Sequence, residues 1–281
     1  MTSRIVVPLI GARPVATRIR EAIRDVGVLV RRNVIHIARE PLQLSDVTIQ
    51  PVLFTFLFVY VFGSGIPVQG GSYAAFAIAG LLLLNLTTSS MGTAVGLTAD
   101  LNTGLIDRLR TLPMWPPAVL IGRSISDLLS AFVCTLIVTG TGLLVGWRPT
   151  SGPLDIAAGF GVALLFAFAL SWVAACVGLW AKGVESAQGF GFIVLFPMSF
   201  ISNALVPTGG MPDWLRTIAD WNPVSAVTAA CRVLWGNPNP SGSDGSWPMQ
   251  HSVVTAVAWS LALLAVAVPL AMALYRRRTT T

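Results

Sequence analysis

Charge is scarce in this sequence. Asp, Glu, Lys and Arg make up 11% of its 281 residues, less than half of the roughly 25% that a soluble domain normally carries. Lysine is nearly absent, Lys182 being the single one. A phosphate-binding loop of the form G-x-x-x-x-G-K-[ST] needs a lysine preceded by glycine and followed by Ser or Thr. Lys182 stands between Ala181 and Gly183, so no nucleotide-hydrolysing loop of that type is expected, and no catalytic role is assigned. The three cysteines, Cys134, Cys176 and Cys231, are far apart and show neither disulfide nor metal spacing. Histidine occurs only as His36 and His251, without a nearby ligand partner. No metal site and no cofactor are expected on this chain.

Apolar residues fill the space that charge leaves. They are 54% of the chain, the mean hydropathy is +0.74, and several runs reach the ~20 residues that cross a hydrocarbon core. The fold class is all-α integral membrane, with six transmembrane helices. A net charge of +6 would suggest nucleic acid in a soluble protein, but here its distribution points elsewhere. With six crossings and the N-terminus inside, fifteen of the eighteen Lys and Arg fall on inner segments and only Arg148, Arg216 and Arg232 on outer ones. That positive-inside bias predicts a multi-pass plasma-membrane protein with both termini cytoplasmic, and no nucleic-acid partner.

In chain order, residues 1–46 read as a cytoplasmic N-terminus with an interfacial helix. Ile19, Ile23, Val26, Val30, Val34 and Ile37 recur at spacings of three and four, with Arg20, Arg24, Arg31 and Arg32 on other faces. Such a basic amphipathic helix suits anionic membrane lipid, at about 1 kcal/mol per Arg, or contact with a partner subunit. Residues 47–275 hold the six spans: about Val47–Ile66, Tyr73–Leu97, Ala118–Val145, Leu154–Trp180, Ala187–Val206 and Val253–Tyr275, and 276–281 form a cytoplasmic tail. Asn85, Thr87, Thr88, Ser89 and Ser90 place a polar patch within the second span. Small polar residues at that depth serve helix–helix hydrogen bonding or contact a transported molecule; Asn85, Thr88 and Asn203 are the candidates for such a path. In the third span, Arg123 and Asp127 sit four apart and can pair on one face. Between spans five and six, Trp214, Ile218 and Trp221 give an apolar face to a short helix dipping into the outer interface. The nearby Asp213, Arg216, Asp220 and Arg232 read as interfacial capping and pairing groups.

The span centres carry no acid or histidine of the kind a proton-coupled pump keeps at a cost of about 3 kcal/mol each. The most informative stretch is instead a polar interruption, Asp100 to Pro113, reading DLNTGLIDRLRTLP. Leu105, Leu109 and Leu112 form one stripe of a short helix, flanked by Asp107, Arg108 and Arg110. Asn102 or Thr103 is expected to cap its start, and Pro113 stops it. By geometry this is either an ordinary basic loop or a leucine ridge offered to a groove on another protein.

The run from Gly104 to Pro113 resembles the loop G-x-h-[DE]-R-h-R-[ST]-h-P of ABC-2 type permeases. Within that family the chain is similar to the daunorubicin/doxorubicin-resistance type of actinobacteria, through Gln50-Pro51-Val52-Leu53-Phe54-Thr55, Asp107-Arg108-Leu109-Arg110-Thr111-Leu112-Pro113, Phe168-Ala169-Leu170-Ser171-Trp172 and Asn222-Pro223. It departs from many relatives where Leu101, Asn102 and Thr103 replace a charged cluster. The resemblance implies a cytoplasmic coupling helix between spans 2 and 3, at Leu105, Asp107, Arg108, Leu109, Arg110, Leu112 and Pro113, docking on a separate ABC ATPase subunit that holds ATP and Mg. It also implies short re-entrant helices after span 5 and a second permease subunit, identical or homologous. The expected function is export of an amphipathic drug-like or lipid-like molecule by the membrane subunit of an ATP-driven exporter. A channel or secondary transporter working without an ATPase, or a membrane-embedded enzyme or scaffold, is the alternative.

Overall fold

The computed structural model of the chain describes residues 15–39, 41–63, 65–68, 70–104, 117–240 and 246–280. Within them the regular elements are helices: α1 (Val15–Arg39), α2 (Pro41–Phe56), α3 (Tyr73–Ser89), α4 (Met91–Asn102), α5 (Ala118–Leu144), α6 (Pro153–Trp180), α7 (Val184–Phe200), α8 (Asp213–Trp221), α9 (Pro223–Trp235), α10 (Trp247–Gln250) and α11 (Ser252–Thr280). The boundaries follow from local chemistry. Ser72 accepts the Ala75 N–H at 3.2 Å to start α3. Pro153 and Pro223 sit in the first turns of α6 and α9, where a missing N–H costs least. Gly236, at φ +66°, ends α9 in the left-handed conformation that an L side chain resists.

Among the described residues, four runs are long and apolar enough to cross a membrane: Tyr73–Asn102, Ala118–Leu144, Pro153–Trp180 and Ser252–Arg278. The first spans α3 and α4 with little interruption, because the Ser90 N–H still reaches the Leu86 carbonyl at 3.2 Å. Val47–Phe62 and Val184–Phe200 are apolar but shorter. The former loosens into a π-helical turn over Leu57–Phe62. The latter stops at Phe200, short of the expected Val206, and an irregular stretch through Ala204 and Leu205 follows.

The core lies around α3, whose Phe76, Ile78, Leu81, Leu82, Leu83 and Leu86 are all fully buried. It meets Phe166 and Leu170 of α6, Cys134 and Val138 of α5, and Val227, Cys231 and Trp235 of α9. Close approach is possible where side chains are missing. A Cβ on Gly80 would run into the Ala204 carbonyl, and one on Gly178 would press on the Ala94 backbone. By contrast, α5 and α11 keep Leu129, Phe132, Leu136, Val254, Leu261 and Val266 exposed, as lipid-facing surfaces do.

Side-chain ties sort the bundle into two ends. At one end, Arg32 joins α1 to Asp100 of α4 at 3.0 Å, Thr98 of α4 donates to the Gly178 carbonyl of α6 at 3.0 Å, and Arg278 of α11 donates to the Leu179 carbonyl at 3.1 Å. At the opposite end, the Tyr73 hydroxyl donates to the Leu205 carbonyl at 3.3 Å, and Trp147 meets Trp235 edge-on at 5.3 Å.

Candidate transport site and coupling end

Two helical arms, α4 and α5, hold the segment between 104 and 117. Leu105, Asp107, Arg108, Leu109, Arg110, Leu112 and Pro113 lie outside the described residues, but the arms do not. Arg123 of α5 reaches across to α4, donating from Nη2 to the Gly92 carbonyl at 2.7 Å. Its guanidinium occupies the space beside Gly96, which a Cβ there would overlap. The expected pairing on α5 is present, with Arg123 Nε 3.5 Å from Asp127 Oδ1, and Thr93 of α4 donates to Asp127 Oδ2 at 2.7 Å. Thr93, Arg123 and Asp127 thus clamp the two arms together.

The helix start that Asn102 or Thr103 is expected to cap lies outside the described residues. Asn102 is the last residue of α4, and Thr103 closes that helix. Its Oγ1 donates back to the Ala99 carbonyl at 3.0 Å, and Gly104 turns the chain at φ +66°. A threonine hydroxyl can donate backwards in this way to the helix that it ends. Asp100, expected in the loop, belongs to the last turn of α4 and is held by Arg32.

On α1, Arg24 and Arg31 are exposed and Arg32 is half-buried against Asp100; the side chain of Arg20 lies outside the described residues. Leu29 is buried where Gly122 of α5 has no side chain to oppose it, while Val28, Val34 and Ile35 remain exposed.

Of the candidate path residues, Asn85 is buried and donates to the Leu81 carbonyl of its own helix at 2.8 Å. Thr88 is half-buried and does the same to Leu84 at 2.9 Å. Asn203 is buried near the opposite end; its Nδ2 faces the Met249 sulfur at 3.5 Å and its Oδ1 has no hydrogen-bond partner among the described residues. These hydrogen bonds of Asn85 and Thr88 run within α3. Both α2 and α7 pack on α3, and each presents exposed aromatic rings. Phe56 and Tyr60 stack at 5.9 Å, and Phe192 and Phe196 at 5.0 Å.

The residue that sequence reasoning misjudged is Arg232. Expected at an interface as a pairing group, it has no exposed surface at all. Its guanidinium lies 3.6 Å over the Phe76 ring. Nε donates to the Phe76 carbonyl at 3.0 Å, Nη1 to Asn203 at 2.9 Å and Nη2 to Ala204 at 2.8 Å. Among the described residues its contacts are with carbonyl dipoles and a π-face, not a carboxylate. One signal could have found it: a lone cation inside the otherwise apolar and small run Val224–Trp235 must be tied inward or flee to water. Asn222 adds a second tie, donating from Nδ2 to the Met198 and Ile201 carbonyls at 2.6 and 2.7 Å while Oδ1 accepts from Val224 N. Together they fix α9 to α3 and to the end of α7. The apolar face expected of the neighbouring short helix is there, with Trp214, Ile218 and Trp221 of α8 exposed.

No group of His, Cys, Asp or Glu able to hold a metal ion occurs among the described residues. Among the described residues the arrangement is one of helices, ties and apolar surfaces.

Comparison with known proteins agrees. The family model for the ABC-2 type transporter matches residues 24–234. The chain is 34% identical over 238 residues to the daunorubicin resistance ABC transporter permease protein DrrB1 of Streptomyces coeruleorubidus, covering 85% of this chain and 81% of that one. It is 26% identical over 245 residues to the probable doxorubicin resistance ABC transporter permease protein DrrC of Mycobacterium tuberculosis, covering 86% and 85%. The putative transport permease ycf38 of Pyropia yezoensis is 27% identical over 223 residues, with 77% and 76% covered. With a membrane-embedded helical bundle, a clamped pair of arms and a family match across most of its length, this chain belongs to the ABC-2 type transporter family.

Proposed function

We propose that this chain is the permease subunit of an ATP-driven exporter that moves an amphipathic, drug-like or lipid-like molecule out of the cell. The observation that carries the proposal is the 34% identity to a daunorubicin resistance permease across 85% of this chain. The clamp at Thr93, Arg123 and Asp127 supports it, because a lever needs arms that move as one body. In this reading Val47–Phe62 and Val184–Phe200 complete six crossings, with α8 and α9 as the re-entrant pair. The end bearing Arg32, Arg123, Lys182 and Arg278 faces the cytoplasm, as the inner excess of Lys and Arg favours.

A separate ABC ATPase holds ATP and Mg and engages the ridge of Leu105, Leu109 and Leu112, with Asp107, Arg108 and Arg110 at its rim and Pro113 as its stop. The chain supplies no ATP-hydrolysing site of its own. A second permease subunit faces α2, α3 and α7, whose exposed aromatic rings then line a shared path, with Asn85, Thr88 and Asn203 as its polar contacts. Arg20, Arg24, Arg31 and Arg32 hold α1 at the lipid interface.

The test is reconstitution of the permease with its ATPase in vesicles. Arg108→Glu combined with Leu109→Glu abolishes transport-stimulated ATP hydrolysis while the permease still inserts. Unchanged stimulation, or transport with no ATPase present, overturns the reading.

A further inference from the structure

A cleft of about 190 Å³ opens at the end of the bundle where α6 stops, lined by Leu179, Trp180, Leu274, Arg277 and Arg278. We propose that it binds an anionic phospholipid, taking the phosphate on the two arginines and one acyl chain along the tryptophan and leucines. Three observations carry this. First, α11 has 29 residues, roughly 44 Å at 1.5 Å per residue, which exceeds a hydrocarbon core of about 30 Å. Its last turn therefore stands at headgroup depth.

Second, Arg278 is held in place by backbone, not loosely solvated. Nε donates to the Leu179 carbonyl at 3.1 Å, and Nη2 to the Trp180 and Ala181 carbonyls at 3.4 and 3.3 Å. It thereby satisfies carbonyls that the end of α6 leaves open, and its Nη1 makes no hydrogen bond among the described residues. A pre-positioned guanidinium loses little freedom on gripping a phosphate. Third, the wall beneath is apolar yet uncovered: Trp180 is 68% exposed, its ring edge-on to Phe190 at 6.3 Å. Indoles at this depth sit at the lipid interface. A soluble anion would use the arginines and leave the wall bare; a phospholipid uses both, as basic pockets between spans do for acidic headgroups.

The cleft shares its end of the bundle with the α4–α5 arms, but none of its lining residues belongs to either arm, so its occupation is tested on the full chain alone, without ATP or cargo. The chain, purified in detergent, is titrated with phosphatidylglycerol and with phosphatidylcholine of matched acyl chains, and bound lipid is counted by native mass spectrometry. The first phosphatidylglycerol is expected to bind at least ten-fold more tightly. Arg277→Gln is the main variant, since Arg278 also caps α6, and it should weaken that step about five-fold, the ratio set by roughly 1 kcal/mol per arginine near the membrane surface. Arg276→Gln, one residue away but outside the cleft, should leave it unchanged. Trp180→Ala should weaken both lipids. Equal binding of the two lipids overturns the proposal, as does equal loss in the Arg276 and Arg277 variants, or displacement by glycerol phosphate at the lipid's own concentration.

Discussion

Replacing Arg232 by lysine should harm this protein more than replacing it by methionine. The guanidinium is fully buried and serves three carbonyls, those of Phe76, Asn203 and Ala204, at 2.8–3.0 Å. Hydrogen bonds to a charged group contribute about 1.5–3 kcal/mol each, and a desolvated cation over a ring about 2 kcal/mol. Against them stands the burial of the charge itself, which costs several kcal/mol. Methionine removes both sides at once. The Phe76 carbonyl lies inside α3 with a helical donor of its own, so the uncompensated loss falls on Asn203 and Ala204, at about 1–3 kcal/mol each. The net destabilisation is about 2–6 kcal/mol. Lysine keeps the buried charge but lacks the planar fork that reaches three acceptors at once, so most of the burial cost stays unopposed. Thermal unfolding of the purified chain in detergent, followed by tryptophan fluorescence, reads the order. At about 2–4 °C per kcal/mol for a chain of this size class, Arg232→Met should lower Tm by about 4–24 °C and Arg232→Lys by more. A lysine variant as stable as the methionine one would refute the reasoning, because it would mean that water reaches the guanidinium.

Gly80→Ala should cost about 1–3 kcal/mol, since its Cβ meets the Ala204 backbone carbonyl, which cannot rotate aside; the same unfolding assay checks it. Asn222→Asp keeps the cap on Val224 but turns the two donors to Met198 and Ile201 into an acceptor facing acceptors, so it should destabilise by more than Asn222→Ala. The Arg32–Asp100 pair is half-exposed and should contribute at most about 1 kcal/mol to stability. Asp100→Arg should nonetheless lower ATP-dependent transport in vesicles, and adding Arg32→Asp should restore it; failure of the double variant to recover would show that the pair has no role in coupling.

Much of this architecture was legible because membrane helices announce themselves in composition. Runs such as Pro153–Trp180 are apolar on every side, and their ends carry Gly, Pro or a charge. The Arg123–Asp127 pairing was legible as well, since four residues along a helix is a local distance. What could not be read were ties between distant parts of the chain. Arg232 reaches Phe76, 156 positions away, and no periodicity encodes that. Thr103 shows a different limit, since a threonine hydroxyl can serve a helix it opens or one it closes, and only the helix α4 that it ends is described, where it bonds back to Ala99.

The two ends of the bundle are held by different physics, and that difference bears on how movement could pass through it. Where α1 meets α4, the tie of Arg32 to Asp100 is a side chain to side chain contact that is partly exposed. Water can replace either partner, so such contacts break and re-form at a cost near 1 kcal/mol. At the opposite end the ties run from buried side chains to backbone carbonyls, Arg232 to Asn203 and Ala204, and Asn222 to Met198 and Ile201. There water is excluded, and a lost bond exposes an unsatisfied carbonyl to an apolar surrounding at about 1–3 kcal/mol. In the proposed exporter, a push arriving through the clamped α4–α5 arms would be absorbed first where α1 meets α4, while the arms themselves stay together. The unit made of α9, α3 and the end of α7 is too costly to take apart and moves whole, which makes it suited to open or close a path by displacement of one rigid piece.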